Sequence, residues 1–187
     1  GKLAAVSAGM SRSELRAEMA PLKKAAESSF YYTTIREKTG ALFAAACFLG
    51  AKLGGGNSDK CELLERIGLN YGMLFQIQDD ILDLRGAPGT MGKPAMQDIE
   101  DSKPTLPLIK ALEGIDSATR DYVLTGLEQG DKEIVGDFIK SRQGVSKAGM
   151  EAGQLAKKIR TLLFRLPGSS FRDEIEGLID NELERMR

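Results

Sequence analysis

The chain has 187 residues and a formal net charge of −1, with 26 Lys and Arg against 27 Asp and Glu. This length is enough for one domain with its own core, and the balanced charge gives no reason to expect nucleic acid or an acidic membrane surface as a partner. The chain has no histidine, which excludes Ser-His and Cys-His nucleophile arrangements and the usual His-containing zinc sites.

Apolar residues recur at helical spacing along the first 85 positions, without the alternation of a strand. We expect a charged helix interrupted at Pro21, and then a long helix that ends at the glycines of positions 54–56. The Asn-Ser-Asp of residues 57–59 can cap a third helix, predicted from about residue 60 to residue 84. The longer apolar run, residues 41–51, is far short of the roughly 20 residues that span a bilayer.

The second half of the chain is divided by glycine and proline. Residues 86–104 hold three glycines and three prolines and predict a loop. From Thr105 onward we expect several shorter helices, separated near Gly114, Gly130, Gly144 and residues 166–170. The sequence therefore predicts an all-α fold. Cys47 and Cys61 lie among apolar helical residues without metal-type spacing, so we expect two buried thiols and no disulfide.

Three aspartates stand at the end of the third helix, in the stretch "FQIQDDILD". Helical spacing places Gln76, Asp79, Asp80 and Asp83 in one polar patch beside an apolar stripe. Their mutual repulsion falls if a divalent cation binds between them, and Mg²⁺ prefers such oxygen ligands. Acidic residues are also common at solvated helix ends, and on the three aspartates alone that interpretation is slightly favoured.

Four cationic or hydroxyl side chains are the next candidates. Lys38 and Thr39 precede an apolar run in "EKTGALF", whereas Lys93 and Lys103 lie in the predicted loop. Lysines opposite magnesium-binding aspartates would neutralise the oxygens of a diphosphate leaving group. Taken singly, each lysine is better explained as a surface charge with an apolar stem.

These motifs together resemble the trans-isoprenyl diphosphate synthases, or polyprenyl synthetases. "FQIQDDILD" is similar to their second aspartate-rich motif, FQxxDDxxD, and "GKPAMQDIEDSKPTLPLIKAL" to GKxxGxDxxxGKxTLPxxxAL. "YYTTIREKTGALFAAACFLGAKLGG" resembles the KT-containing helix, and "LFRLPGSSFRDEIEGLIDNELERMR" the usual C-terminal end. The resemblance covers essentially the whole chain and implies a helical bundle of the isoprenoid synthase type.

The resemblance also implies roles for individual residues. Lys38 and Lys103 would contact the diphosphate of an allylic substrate, Thr39 and Gln76 would support this catalytic and substrate-binding site, and Lys93 would lie on a mobile closing segment. The aspartates would bind Mg²⁺ directly or through water, namely Asp79, Asp80 and Asp83.

The reaction that the resemblance implies joins two diphosphates. Ionisation of the allylic C–O bond gives a cation, the double bond of isopentenyl diphosphate attacks it, and the released pyrophosphate removes a proton. The protein would supply position and an electrostatic field rather than a nucleophile. Apolar helix faces would enclose the growing chain.

The sequence departs from the family pattern in three respects. Met96 and Ser102 replace glycines of the two loop motifs, so a backbone conformation that glycine allows is either altered or strained there. The first aspartate-rich motif, DDxxxxD, is absent, because no paired aspartates precede residue 79. The upstream basic residues that grip isopentenyl diphosphate are also missing. We therefore interpret residues 1–187 as the C-terminal part of an isoprenyl diphosphate synthase domain.

Three explanations fit an incomplete synthase. The chain is a fragment of an ordinary enzyme, one chain of a split enzyme, or a non-catalytic subunit that binds and regulates a full-length synthase. The intact aspartates and lysines argue against the third explanation, and the replaced glycines argue weakly for it. We expect a homodimer, or a heterodimer with a chain that carries the first motif, located in the cytoplasm or, after removal of a transit peptide, in an organelle.

Overall fold

The computed structural model describes residues 1–85 and 95–185, and all regular secondary structure in that part of the chain is helical. The all-α prediction is confirmed. A π-helical turn, Arg36–Gly40, joins the third helix to the fourth. The helices are Lys2–Met19 (α1), Leu22–Ala25 (α2), Ser28–Ile35 (α3), Ala41–Leu53 (α4), Ser58–Arg85 (α5), Gln97–Glu100 (α6), Leu106–Ala111 (α7), Ser117–Glu128 (α8), Lys132–Ser141 (α9), Gly144–Leu163 (α10) and Ser170–Arg185 (α11).

Most of the predicted helix boundaries are confirmed. Pro21 separates α1 from α2, and Gly54 caps the C-terminus of α4. The Asn57 side chain accepts a hydrogen bond of 3.0 Å from the Lys60 amide at the start of α5. The loop predicted over residues 86–104 was wrong at Gln97–Glu100, which form the single turn of α6. Residues 86–94 lie outside the described part of the chain.

The next features are the two cysteines and the apolar runs that were compared with a membrane span. Both cysteines are free thiols, but only Cys61 is buried, whereas Cys47 is partly exposed. Within the described residues, no helix combines the length and the apolarity needed to cross a bilayer.

Helix α5 is the centre of the main hydrophobic core. Its side chains Leu74, Ile77 and Ile81 are at most 1% exposed. Helix α10 contributes alanines at every fourth position to the same core, and their small side chains allow the two helices to approach closely. These alanines are Ala148, Ala152 and Ala156.

The approach of α4 and the π-helical turn to α5 depends on glycine. A Cβ atom on Gly68 would lie 2.5 Å from the Phe43 carbonyl oxygen, and one on Gly72 would lie 2.9 Å from the Gly40 Cα atom. No larger residue fits either position without movement of the backbone. Gly68, Gly72 and Gln76 are four residues apart and share one helix face. The same contact therefore brings the π-helical turn beside Gln76.

We predict that Gly68→Ala lowers the free energy of unfolding by about 2–3 kcal/mol, because the new Cβ clashes with the backbone of α4. Gly153→Ala is the matched control, since Gly153 lies inside α10 and its Cβ would meet no atom within 4 Å. That control should gain about 0.5–1 kcal/mol from helix propensity. Urea unfolding monitored by circular dichroism at 222 nm measures both, and equal stabilities for the two variants would contradict the close approach.

The two positions at which the family pattern has glycine are strained. Met96 has φ 61° and Ser102 has φ 56°, in the left-handed region that L residues rarely adopt. The backbone at these positions is therefore strained rather than altered to a conformation that suits other residues. Met96 and Ser102 thus keep a conformation that glycine would adopt at lower cost.

Ser102→Gly should raise the free energy of unfolding by about 0.5–1 kcal/mol, because relief of the left-handed strain outweighs the greater entropy that glycine loses on folding. Ser102 contributes only one long side-chain hydrogen bond, of 3.4 Å to the Glu128 carbonyl oxygen. Ser11→Gly, in the exposed middle of α1, is the control and should lower stability. A lower unfolding midpoint for Ser102→Gly would rule out strain relief at this residue.

Candidate functional site

A buried carboxylate, that of Asp80, connects three helices. Its Oδ2 atom accepts hydrogen bonds from the Tyr31 hydroxyl at 2.6 Å and from the Leu106 amide at 3.3 Å. Its Oδ1 atom accepts a bond of 3.1 Å from Gln76 Nε2. Asp80 is only 3% exposed, so α3, α5 and the start of α7 meet at one hydrogen-bonded carboxylate.

The surroundings of Asp80 determine its ionisation. Burial raises the pKa of Asp80 to about 7, although the hydrogen bonds from Tyr31, Gln76 and the Leu106 amide act in the opposite direction. Burial and the neighbouring Asp80 carboxylate also raise the pKa of Tyr31 well above its ordinary value. Tyr31 therefore keeps its proton and acts as a hydrogen-bond donor. The Leu106 amide is at the start of α7, where the helix itself provides no acceptor.

Gln76 links this carboxylate to the π-helical turn. The Thr39 hydroxyl donates to Gln76 Oε1 at 2.8 Å, while Gln76 Nε2 donates to Asp80. Thr39 and Gln76, both expected to support one site, are thus joined by a direct hydrogen bond. Lys38, the residue next to Thr39, is held on the same turn.

Asp83 holds the segment that follows the undescribed residues. Its two carboxylate oxygens accept hydrogen bonds of 3.1 Å from the amides of Gln97 and Asp98, and its carbonyl oxygen accepts one of 2.9 Å from the Met96 amide. The carboxylate satisfies amides at the start of α6 that have no partner within the helix. This contact from a distant residue explains why a glycine- and proline-rich stretch contains a helical turn.

Asp79 points away from this buried network, and the structure separates it from its neighbour Asp80. Asp79 is exposed and accepts no hydrogen bond from any described residue. Burial raises the pKa of nearby Asp98 to about 6, an effect strengthened by the charges of Asp83 and Asp79 and opposed by Lys103. Asp79, Asp83, Asp98 and Lys103 are therefore electrostatic neighbours.

Lys103 and Lys38 each have an exposed carboxylate partner. Lys103 Nζ is 2.7 Å from Asp101 Oδ2 and 3.9 Å from an oxygen of Asp98. Lys38 Nζ is 2.7 Å from Glu14 Oε1, and both side chains of this pair are about half exposed. The hydrogen bond and charge of Lys38 lower the pKa of Glu14, and the charge of Lys103 acts in the same direction. The two lysines thus act on a common carboxylate.

The structure brings most of the sequence-predicted residues into one region but assigns them different contacts. The described residues contain no group of three or more Asp, Glu, Cys or His side chains arranged to hold a metal ion. Magnesium binding by Asp79, Asp80 and Asp83 therefore stays a prediction. Lys93 falls outside the described part of the chain.

Sequence reasoning missed four residues of this region: Glu14, Tyr31, Asp98 and Asp101. Asp98 lies within the quoted "GKPAMQDIEDSKP" motif, and Tyr31 lies two helical turns before Lys38 in the "YYTTIREKTG" stretch. Helical spacing could have placed Tyr31 on the face of Lys38. The contacts of Glu14 with Lys38 cross from one helix to another and have no local sequence signal.

Asp98→Asn should raise the free energy of unfolding at pH 7.5 by about 1 kcal/mol, after allowance for solvent screening. The folded state binds the Asp98 proton more tightly than the unfolded state, so stability falls as pH rises from about 4 to above 6. The difference between variant and wild type should therefore vanish near pH 4. Denaturant unfolding in EDTA-containing buffer measures it, with exposed Asp137→Asn as the control. A gain of equal size at both pH values would contradict this pKa.

Comparison with known proteins shows which proteins this chain is similar to. The pattern of the polyprenyl synthetase family matches residues 12–140. A short chain isoprenyl diphosphate synthase of Methanothermobacter thermautotrophicus is 35% identical over 158 residues, which cover 83% of this chain and 49% of that protein. The chain thus spans about half the length of this relative.

Solved structures of synthases also resemble this chain. A decaprenyl diphosphate synthase from Rhodobacter capsulatus superposes with a TM-score of 0.88 at 31% identity, over 100% of this chain and 59% of that one. A polyprenyl synthase from Caulobacter crescentus, complexed with calcium and isoprenyl diphosphate, gives a TM-score of 0.86 at 28% identity, over 100% and 58% of the two chains. The whole of the present fold thus corresponds to part of each of these synthases.

Proposed function

The chain belongs to the polyprenyl synthetase family, and we propose that it supplies the second aspartate-rich wall of a prenyltransferase active site. The enzyme would condense isopentenyl diphosphate with an allylic diphosphate to give a longer trans-polyprenyl diphosphate. The observation that carries this proposal is that Lys38, bonded to the Glu14 carboxylate, and Lys103 both act on that carboxylate, while Lys103 and Asp79 both act on the carboxylate of Asp98. This arrangement provides cations for a diphosphate and an exposed carboxylate for a metal ion bound to that diphosphate.

The two lysines would bind the diphosphate of the allylic substrate. Their present partners, Glu14 and Asp101, are exposed, and exposed ion pairs contribute little to stability. A diphosphate carries several negative charges and can replace these carboxylates at both ammonium groups. Thr39, fixed by Gln76, would support the same diphosphate beside Lys38.

The donor set fits magnesium with unequal contributions from the three aspartates. Mg²⁺ usually takes one or two protein carboxylates and completes its shell with water and substrate phosphates. Asp79 offers an exposed carboxylate, whereas Asp80 and Asp83 already accept hydrogen bonds from protein donors. Asp79 would thus be the direct ligand, and Asp80 and Asp83 would act through water or through position. Bound Mg²⁺ would neutralise charge that develops on the leaving diphosphate.

The protein residues would promote ionisation without forming a covalent bond. Lys38 and Lys103 would stabilise the diphosphate as its C–O bond breaks and leaves an allylic cation. The double bond of isopentenyl diphosphate would then form the new C–C bond, and the diphosphate would accept the proton that is released. Fixed positions for the ammonium groups reduce the reorganisation that this charge separation requires.

A complete enzyme would also need the first aspartate-rich motif, from the same polypeptide or from a partner chain. We propose that the assembled form is a dimer. The replaced glycines were the argument for the alternative, a non-catalytic regulatory subunit. Met96 and Ser102 adopt the left-handed conformation that glycine favours, so the replacements give this alternative no support.

Asp79→Ala should weaken binding of inorganic pyrophosphate in the presence of Mg²⁺ by at least about tenfold, because the exposed metal ligand is lost. In the complete enzyme the same change should abolish Mg²⁺-dependent turnover. Isothermal titration of the full chain measures the binding, and circular dichroism should show little loss of helix.

Asp137→Ala is the control for this experiment, because it removes an exposed aspartate from α9 that is not one of the residues assigned to the proposed site. Its affinity should match that of the wild type. Wild-type affinity or full activity in Asp79→Ala would refute the assignment of Asp79 to the site.

A further inference from the structure

We propose that Tyr31 is a positioning residue of this site: its hydroxyl fixes the carboxylate of Asp80, which in turn aligns the elements that carry Lys38, Asp79 and Lys103. The role of the aligned site rests on the function proposed above. The hydrogen-bonded connection itself depends only on the geometry of the described residues.

The contact between Tyr31 and Asp80 is short and shielded from water. The hydroxyl and Asp80 Oδ2 are 2.6 Å apart, and the two residues are 7% and 3% exposed. They lie on α3 and α5, separated by 49 positions in the chain. A charge-assisted hydrogen bond in such surroundings is among the stronger polar contacts of a protein.

The carboxylate passes this constraint to two other elements. Asp80 Oδ2 also accepts from the Leu106 amide, three residues after Lys103. Asp80 Oδ1 accepts from Gln76, which is itself bonded to Thr39 beside Lys38. Loss of the Tyr31 hydroxyl would leave one buried oxygen of Asp80 with a single long hydrogen bond. The carboxylate would then be free to rotate, and both connections would loosen.

Tyr32 provides a control with nearly the same chemistry. Its hydroxyl also donates to a carboxylate, Glu151 Oε2 at 3.2 Å, and its ring packs edge-on against that of Tyr31 with 5.5 Å between the centroids. Glu151 belongs to α10 and pairs with Lys110 of α7, and among the described residues it has no hydrogen bond to Asp80, Gln76 or the Leu106 amide. Tyr31→Phe and Tyr32→Phe therefore each remove one hydroxyl from the same helix, and only the first removes it from Asp80.

The experiment compares these two variants in the full chain by two measurements. Amide hydrogen exchange by NMR follows Leu106, and isothermal titration follows pyrophosphate in the presence of Mg²⁺. We expect Tyr31→Phe to accelerate exchange of the Leu106 amide about tenfold beyond the change in global stability, and to weaken pyrophosphate binding about tenfold. Tyr32→Phe should change each value less than about twofold. In an Asp80→Asn background, Tyr31→Phe should add little to either effect.

Each outcome has a definite meaning. Unchanged exchange at Leu106, or the same acceleration in both variants, would overturn the positioning role of Tyr31. Specific acceleration without loss of pyrophosphate affinity would show that Tyr31 aligns α7 but not the site, and would also overturn the inference. Absence of pyrophosphate binding by the wild type would refute the proposed function, while the exchange data would still test the connection from Tyr31 to Leu106.

Discussion

The arrangement of this end of the molecule depends on one buried carboxylate, that of Asp80. A carboxylate removed from water must be hydrogen-bonded to be tolerated, and Asp80 meets that requirement with donors from α3, α5 and α7. These elements cannot shift independently without leaving the carboxylate unsatisfied. The hydrogen bonds to Asp80 therefore fix the relative positions of three chain segments, including those next to Lys38 and Lys103.

The same helix gives three aspartates three different environments. Consecutive helical residues point about 100° apart, so Asp79 faces solvent while Asp80 faces the bundle. Asp83, one turn further on, lies at the end of α5 and binds the amides of Gln97 and Asp98. An aspartate-rich motif thus combines one free carboxylate with two that shape its surroundings, which explains how so much negative charge is accommodated.

The sequence predicted the elements that depend on local information and missed those that depend on distant contacts. The cap at Asn57 and the break at Pro21 are local signals, and both helix boundaries are where they were expected. The π-helical turn of Arg36–Gly40 lies where Gly40 meets Gly72 of α5, and α6 has its first amides bound by Asp83. Likewise, the motif residues could be recognised, whereas Tyr31 becomes significant only when folding brings it to Asp80.

Several of the features that oppose stability lie in one region. Met96 and Ser102 hold left-handed conformations, the pKa of buried Asp80 is raised, and Asp98 lies close to other carboxylates. The core around α5 and α10, in contrast, consists of closely packed apolar residues. Strain that persists at one place must be imposed by the surrounding structure, and such strain is typical of functional sites. The physical chemistry of this chain therefore points to the same end of α5 as its aspartate-rich motif.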